Sequence, residues 1–369
     1  MKGSPFFEFL SDRLGFFAPR ARDMQPGFAS STSGLSSFPP RAGLFALGAR
    51  LFGWSMLAVL AAFLSDNFLD IGYGLPSLAA TIAGGVTFID SLPILGVYGL
   101  AIALAAVYVF KSPNRTMRED SIRIHGFNLY VVRGLFWSVL LIGIVDAGIS
   151  FIRIEDLVDA WMGEGAARLL GRSAFVGPWI HIPLLIIGFI VALFVRSPGF
   201  HWLALLIVIA ETGIVISRFV FSYEQAFMGD LVRYWYAALF LFASAYTLHE
   251  EGHVRVDVFF AGLTQRRKSL VNALGSVFLG MSTAWTILIV GLAGKNSMIN
   301  APALTFEVSQ SGNAGMFVKY QLAAFIGLFA ATMLIQFVSY FLAAMADLGN
   351  EPGNEPGGDP DEHAKRALS

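Results

Sequence analysis

An all-α integral membrane protein with about eight transmembrane helices is the fold class this sequence predicts. Of its 369 residues, 56% are hydrophobic and only 14% charged, which is more apolar surface than a soluble core of that length hides. The apolar residues also arrive in separate runs near the ~20 residues that a helix needs to cross a hydrocarbon layer of about 30 Å. Inside such a layer each backbone N–H and C=O must be satisfied within its own segment, so these runs are read as helices.

The runs cover residues 42–64, 92–110, 127–149, 179–195, 200–217, 231–249, 270–293 and 319–346. Run 231–249 is short and polar at its rim. Between the first two, YGLPSLAATIAGGVTFID (73–90) is apolar but rich in Gly and broken by Pro76, so it is read as an interfacial or re-entrant piece. Residues 155–170 set Leu157, Trp161 and Leu169 among charges, the pattern of one helix lying on the outer surface. Trp179, Trp202 and Trp235 fall at run edges, where indoles anchor at the interface. Gly275, Gly280 and Gly327 are candidates for close helix approach.

Charge sets the expected orientation. With the N-terminus inside, sixteen Lys and Arg fall in cytoplasmic parts, against seven in outer loops and at outer span ends. That bias supports eight spans with both termini inside. Residues 1–41 are Ser/Pro/Gly-rich and too polar for a signal peptide, so the first run is expected to act as an uncleaved anchor. The tail from 348, with NEPG twice, has nothing to bury and is expected to be disordered. A net charge of −1 argues against a nucleic-acid partner. The absence of cysteine excludes disulfides and thiolate-held metals.

The segment HEEGHVRVDV (249–258) carries two competing readings. His249, Glu250 and His253 fit H-E-x-x-H, in which two histidines one turn apart hold zinc and the glutamate activates water. An intramembrane zinc protease is therefore the alternative function. It needs a third ligand, and the candidates Asp257 and Glu307 are poorly set; Gly252 also sits inside the motif, and Gly commonly terminates a helix, whereas both histidines must share one helical face. His125, His181, His201 and His363 are scattered over different segments, so no metal or haem site is expected.

The second reading rests on a pattern of motifs in order. Arg218–Phe221 (RFVF) ends one run and Gly252–Asp257 (GHVRVD) follows the next. Glu307–Ser309 (EVS) precedes the last run, which holds Lys319 and then Ile335 with Gln336. Over residues 195–347 the chain thereby resembles the small permease subunit of tripartite ATP-independent periplasmic (TRAP) transporters, the DctQ-like family. The resemblance implies a non-enzymatic scaffold without cofactors in the bacterial inner membrane. Its partners would be a separate DctM-like large permease holding the substrate and sodium sites and a DctP-like periplasmic binding protein, besides membrane lipids. The cargo would be a small organic acid or similar solute. The expected organisation is a polar segment (1–41), a four-span extension (42–195), a four-helix core (196–347) and the acidic tail.

Under this reading Arg218, Gly252, His253, Arg255, Asp257, Lys319 and Gln336 are family-motif or partner-interface residues. Arg255 and Asp257 would fix a cytoplasmic elbow, and His253 would cap the helix before it. Arg50, Arg133, Asp146 and Glu211 are charges inside spans, each a functional candidate because insertion of a charge costs about 2.5–3.5 kcal/mol. Glu211 would pair with Arg133 or with a cation of the large permease. Otherwise Glu211 lies in a polar pocket while Arg50 and Arg133 reach outward to headgroups.

Overall fold

A computed structural model describes residues 43–195, 200–223, 226–249, 260, 262–308 and 315–351, and among them all regular structure is helical. Among the described residues seven helices are long and apolar enough to cross a membrane: α1 (Leu44–Tyr73), α3 (Phe88–Lys111), α4 (Met117–Ile154), α7 (Ser173–Phe194), α8 (Phe200–Phe221), α10 (Gln265–Gly291) and α12 (Lys319–Leu348). An eighth of comparable length, α9 (Ala226–His249), has 24 residues but carries Asp230 and Arg233 near its start. The chain is an all-α membrane protein.

Local chemistry sets the helix ends. Gly74, in the left-handed region at φ 68°, closes α1, where a Cβ would be strained. The stretch 73–90 becomes a connector holding the short α2 (Leu78–Ile82), capped by Ser77, before Thr87 accepts from the Asp90 N–H to start α3. At α4 a capping box forms, since Thr116 accepts from the Glu119 N–H while the Glu119 side chain accepts from the Thr116 N–H. The helix thus starts ten residues before the predicted span and runs for 38 residues, about 57 Å at 1.5 Å per residue. The expected single surface helix at 155–170 is two pieces, α5 (Leu157–Met162) and α6 (Glu164–Leu170). They are split at Gly163, whose φ of 82° a continuous helix does not allow.

Two helices contain one widened π turn each, Gly177–His181 in α7 and Ser276–Met281 in α10. Pro178 and Pro183 flank His181 and lack the N–H that a regular ladder would use, which accounts for the irregularity in α7.

Packing converges on α4 and α12. Helix α4 lies against α7, α9 and α12, while α12 also touches α1, α10 and the short α11 (Asn300–Thr305). One core joins Phe136 of α4, Tyr234, Trp235 and Phe242 of α9 and Phe325 of α12. A second joins α1, α10 and the other face of α12 through Leu60, Met281, Leu288, Leu334 and Leu342. Gly188 makes the close contact of α4 with α7 possible: a Cβ there would sit 2.4 Å from the Ser138 backbone nitrogen. Gly280 likewise faces Phe337, whereas Gly275 has open space. Helix α8 packs on α9 and only lightly on α4, so most of its surface is uncovered.

Candidate functional site

Of the charges expected inside the spans, Arg50 and Asp146 fall in buried groups that join helices, and Glu211 does not. Near the start of α4, Arg50 is fully buried rather than reaching outward. Its Nε donates to Asp120 Oδ2 at 2.7 Å, Nη1 to the Ser112 carbonyl at 2.8 Å and Nη2 to Ser112 Oγ at 2.8 Å. Trp54 Nε1 donates to the same Asp120 oxygen at 3.0 Å. The pair ties α1 to the α3–α4 turn. A guanidinium suits this place because its planar fork serves three acceptors at once. Nearby, Arg118 pairs with Asp347 at 2.6 Å, and the Glu351 carboxylate accepts the N–H groups of Met117 and Arg118. The start of α4 is thus fastened to the end of α12, where a carboxylate also suits the positive helix end.

Further along, α4 and α12 exchange hydrogen bonds at successive turns. Ser121 and Ser339 each donate to the other's backbone carbonyl. Asn128 Nδ2 donates to the Thr332 carbonyl at 3.0 Å and to Gln336 Oε1 at 3.1 Å, and His125 Nδ1 lies 3.1 Å from the same oxygen. The motif residue Gln336 therefore sits within the bundle, 1% exposed. Polar contacts between apolar helices fix rotation and register, because any other alignment leaves buried groups unpaired.

At the opposite end Asp146 organises the largest network. Its Oδ2 accepts from the Phe317 N–H at 2.8 Å, and Oδ1 lies 3.2 Å from His181 Nε2. His181 Nδ1 lies 2.8 Å from both Gln321 Nε2 and the Tyr320 hydroxyl. Gln321 Oε1 in turn accepts from the Tyr234 hydroxyl. An amide nitrogen only donates, so Nδ1 accepts and the ring proton sits on Nε2, facing Asp146. A neutral imidazole in that tautomer offers a donor to Asp146 and an acceptor on the side of Gln321 and Tyr320. Asp230 of α9 accepts from the Met316 N–H at 3.2 Å, and Arg153 donates to the Gly315 carbonyl with its guanidinium over the Phe317 ring. Two carboxylates and a cation from α4 and α9 thus hold the buried segment Gly315–Val318, which leads into α12.

The remaining candidates lie apart. Lys319 and Glu307, both from the expected motifs, form an ion pair at 2.5 Å with both partners about 40% exposed. Arg218 is exposed at the end of α8 and Arg133 is half-buried on α4. Glu211 is near the middle of α8 and exposed, away from the stripe of Leu203, Leu206, Ile207 and Ala210 that faces the bundle. Among the described residues Glu211 has no hydrogen-bond or ion-pair partner, so the expected pairing with Arg133 is not made.

Glu250, Gly252, His253, Arg255 and Asp257 lie outside the described residues, and His249 is described only as the last backbone position of α9. Among the described residues no three His, Asp or Glu side chains converge as metal ligands.

Residues 205–346 match the family model described as "Tripartite ATP-independent periplasmic transporters, DctQ component". No curated protein and no solved structure matches the chain.

Proposed function

With residues 205–346 belonging to the DctQ component family of tripartite ATP-independent periplasmic transporters, we propose that this small membrane subunit is a fixed scaffold for a large permease. It works in sodium-coupled uptake of a small organic acid or similar solute delivered by a periplasmic binding protein. It sits in the bacterial inner membrane with both termini cytoplasmic, the orientation that its Lys and Arg distribution favours.

The observation that carries the scaffold reading is the distribution of charges. Most of those inside the bundle, Arg50, Asp120, Asp146 and Asp230 among them, are consumed in holding helices to one another. Such groups stiffen a structure rather than meet a moving solute. Glu211 is different, because an exposed carboxylate midway along an apolar helix is costly against lipid. We assign it to the contact with the large permease, where a Lys or Arg of that partner neutralises it. Arg218 and Lys319 are assigned to the rim of the same contact. The experiment is solute uptake into proteoliposomes holding both membrane subunits, with binding protein outside and an inward sodium gradient. Uptake requires this chain and the gradient, and Glu211→Leu lowers it together with recovery of the complex. Full uptake without this chain, or without sodium, would reject the proposal.

A further inference from the structure

A cavity of about 750 Å³ lies between α1, the α1–α3 connector, α3 and the end of α10. Its walls divide by chemistry. Phe52, Met56, Val59, Phe63, Trp285 and Ile289 form an apolar body, while Asp66, Asp70 and Tyr98 gather at one end. Phe52 to Phe63 rises about 16 Å along α1, close to one leaflet of a hydrocarbon core of about 30 Å. The acidic end is thereby placed at headgroup level.

That end carries uncompensated negative charge. Asp66 is only 4% exposed. One of its oxygens accepts from the Leu78 N–H at 3.1 Å and from the Tyr98 hydroxyl at 3.2 Å, while Oδ1 has no hydrogen-bond partner. Asp70 is one turn further along the same helix, and among the described residues no Lys or Arg pairs with either carboxylate. Asn67 does not supply the missing donor, since its amide exchanges hydrogen bonds with Asn300. Lys295 follows the lining Gly294, is exposed and makes no ion pair among the described residues. A buried carboxylate oxygen without a donor carries a desolvation penalty that a cation with N–H groups relieves.

We propose that this cavity is a binding site for a membrane lipid whose headgroup carries a primary ammonium, as in phosphatidylethanolamine. One acyl chain occupies the apolar body, the ammonium donates to Asp66 and Asp70, and the phosphate faces Lys295. An anionic headgroup without an amine would bring a third negative charge near the two carboxylates with no ammonium to offset it. A quaternary ammonium has no N–H to give. The site is independent of the transport reading, because it is built from α1 to α3 and the end of α10 and needs only a bilayer.

The test uses the full chain purified in mild detergent, with native mass spectrometry after addition of dioleoyl phosphatidylethanolamine, phosphatidylcholine or phosphatidylglycerol. The expected result is selective retention of phosphatidylethanolamine, lowered roughly ten-fold by Asp66→Asn, the effect of losing one charge-assisted hydrogen bond. Asp66 also holds α2 in place, so Asp70→Asn is the second variant, because the Asp70 carboxylate makes no hydrogen bond among the described residues. It lowers retention in the same direction. Equal retention of all three lipids, preference for phosphatidylglycerol, or retention unchanged in Asp70→Asn would each overturn the assignment.

Discussion

Replacing Arg50 by Met removes three donors at once, the one to Asp120 and the two to Ser112. Asp120 is then left fully buried with only the Trp54 indole as a donor. Breaking a buried ion pair from one side costs about 3–5 kcal/mol, which sets the loss expected for Arg50→Met. Removing both charges, as Arg50→Met with Asp120→Leu, leaves only Ser112 and Trp54 short of partners. Much of the loss returns, with a coupling of at least about 2 kcal/mol between the two sites. The assay is unfolding of purified protein by sodium dodecyl sulfate followed by tryptophan fluorescence, to which Trp54 contributes directly. A single-variant loss below about 0.5 kcal/mol, or losses that simply add in the double variant, would refute the claim that this pair locks α1 to α4.

Three other outcomes follow from the same geometry. Gly188→Ala brings a Cβ within 2.4 Å of Ser138 backbone, so α7 must move off α4, at about 1–3 kcal/mol as for other overpacked contacts; a melting temperature equal to the parent's would contradict that. Asp146→Ala leaves the Phe317 N–H and the His181 ring proton without an acceptor, a loss of about 2–4 kcal/mol from two unmet buried donors. Hydrogen exchange at 315–318 rises with it, and unchanged protection there would count against the network. Lys319→Met removes a pair that is about 40% exposed on both sides, so stability shifts by less than ~1 kcal/mol, and a larger shift would mean that the pair is more enclosed than its exposure indicates.

The helices were legible in the sequence because their hydropathy is a property of each run alone. What hydropathy misses is where partners outside the run complete a helix. Arg118, Glu119, Asp120 and Arg123 read as loop, yet they lie inside α4, where Arg50, Asp347 and Glu351 from distant positions meet two of those charges and the helix start. Residues 127–149 were therefore only the apolar part of a longer element. The same cause hid the partner of Arg50, because Asp120 fell outside every predicted span. Asp146 stood out as a charge among apolar residues, but His181 did not. A search for histidines facing one another passes over one whose partners are Asp146, Gln321 and Tyr320. Glu211 was visible as a charge in a span, and only the packing of α8 distinguishes an uncovered face from a polar pocket. The acidic end of the α1–α3 cavity gave no signal, since Asp66 and Asp70 lie beyond the predicted end of the first run, where carboxylates are ordinary.

The scaffold claim stands or falls most directly on what the chain holds in its native membrane. Mild crosslinking there, followed by purification on a tag at the C-terminus and quantitative mass spectrometry, is predicted to recover one large multi-span permease in equimolar amount. Crosslinks are predicted to concentrate on the uncovered face of α8 around Glu211. Recovery of the chain alone, or of a permease crosslinked only through α1 and α3 with α8 untouched, would contradict the account.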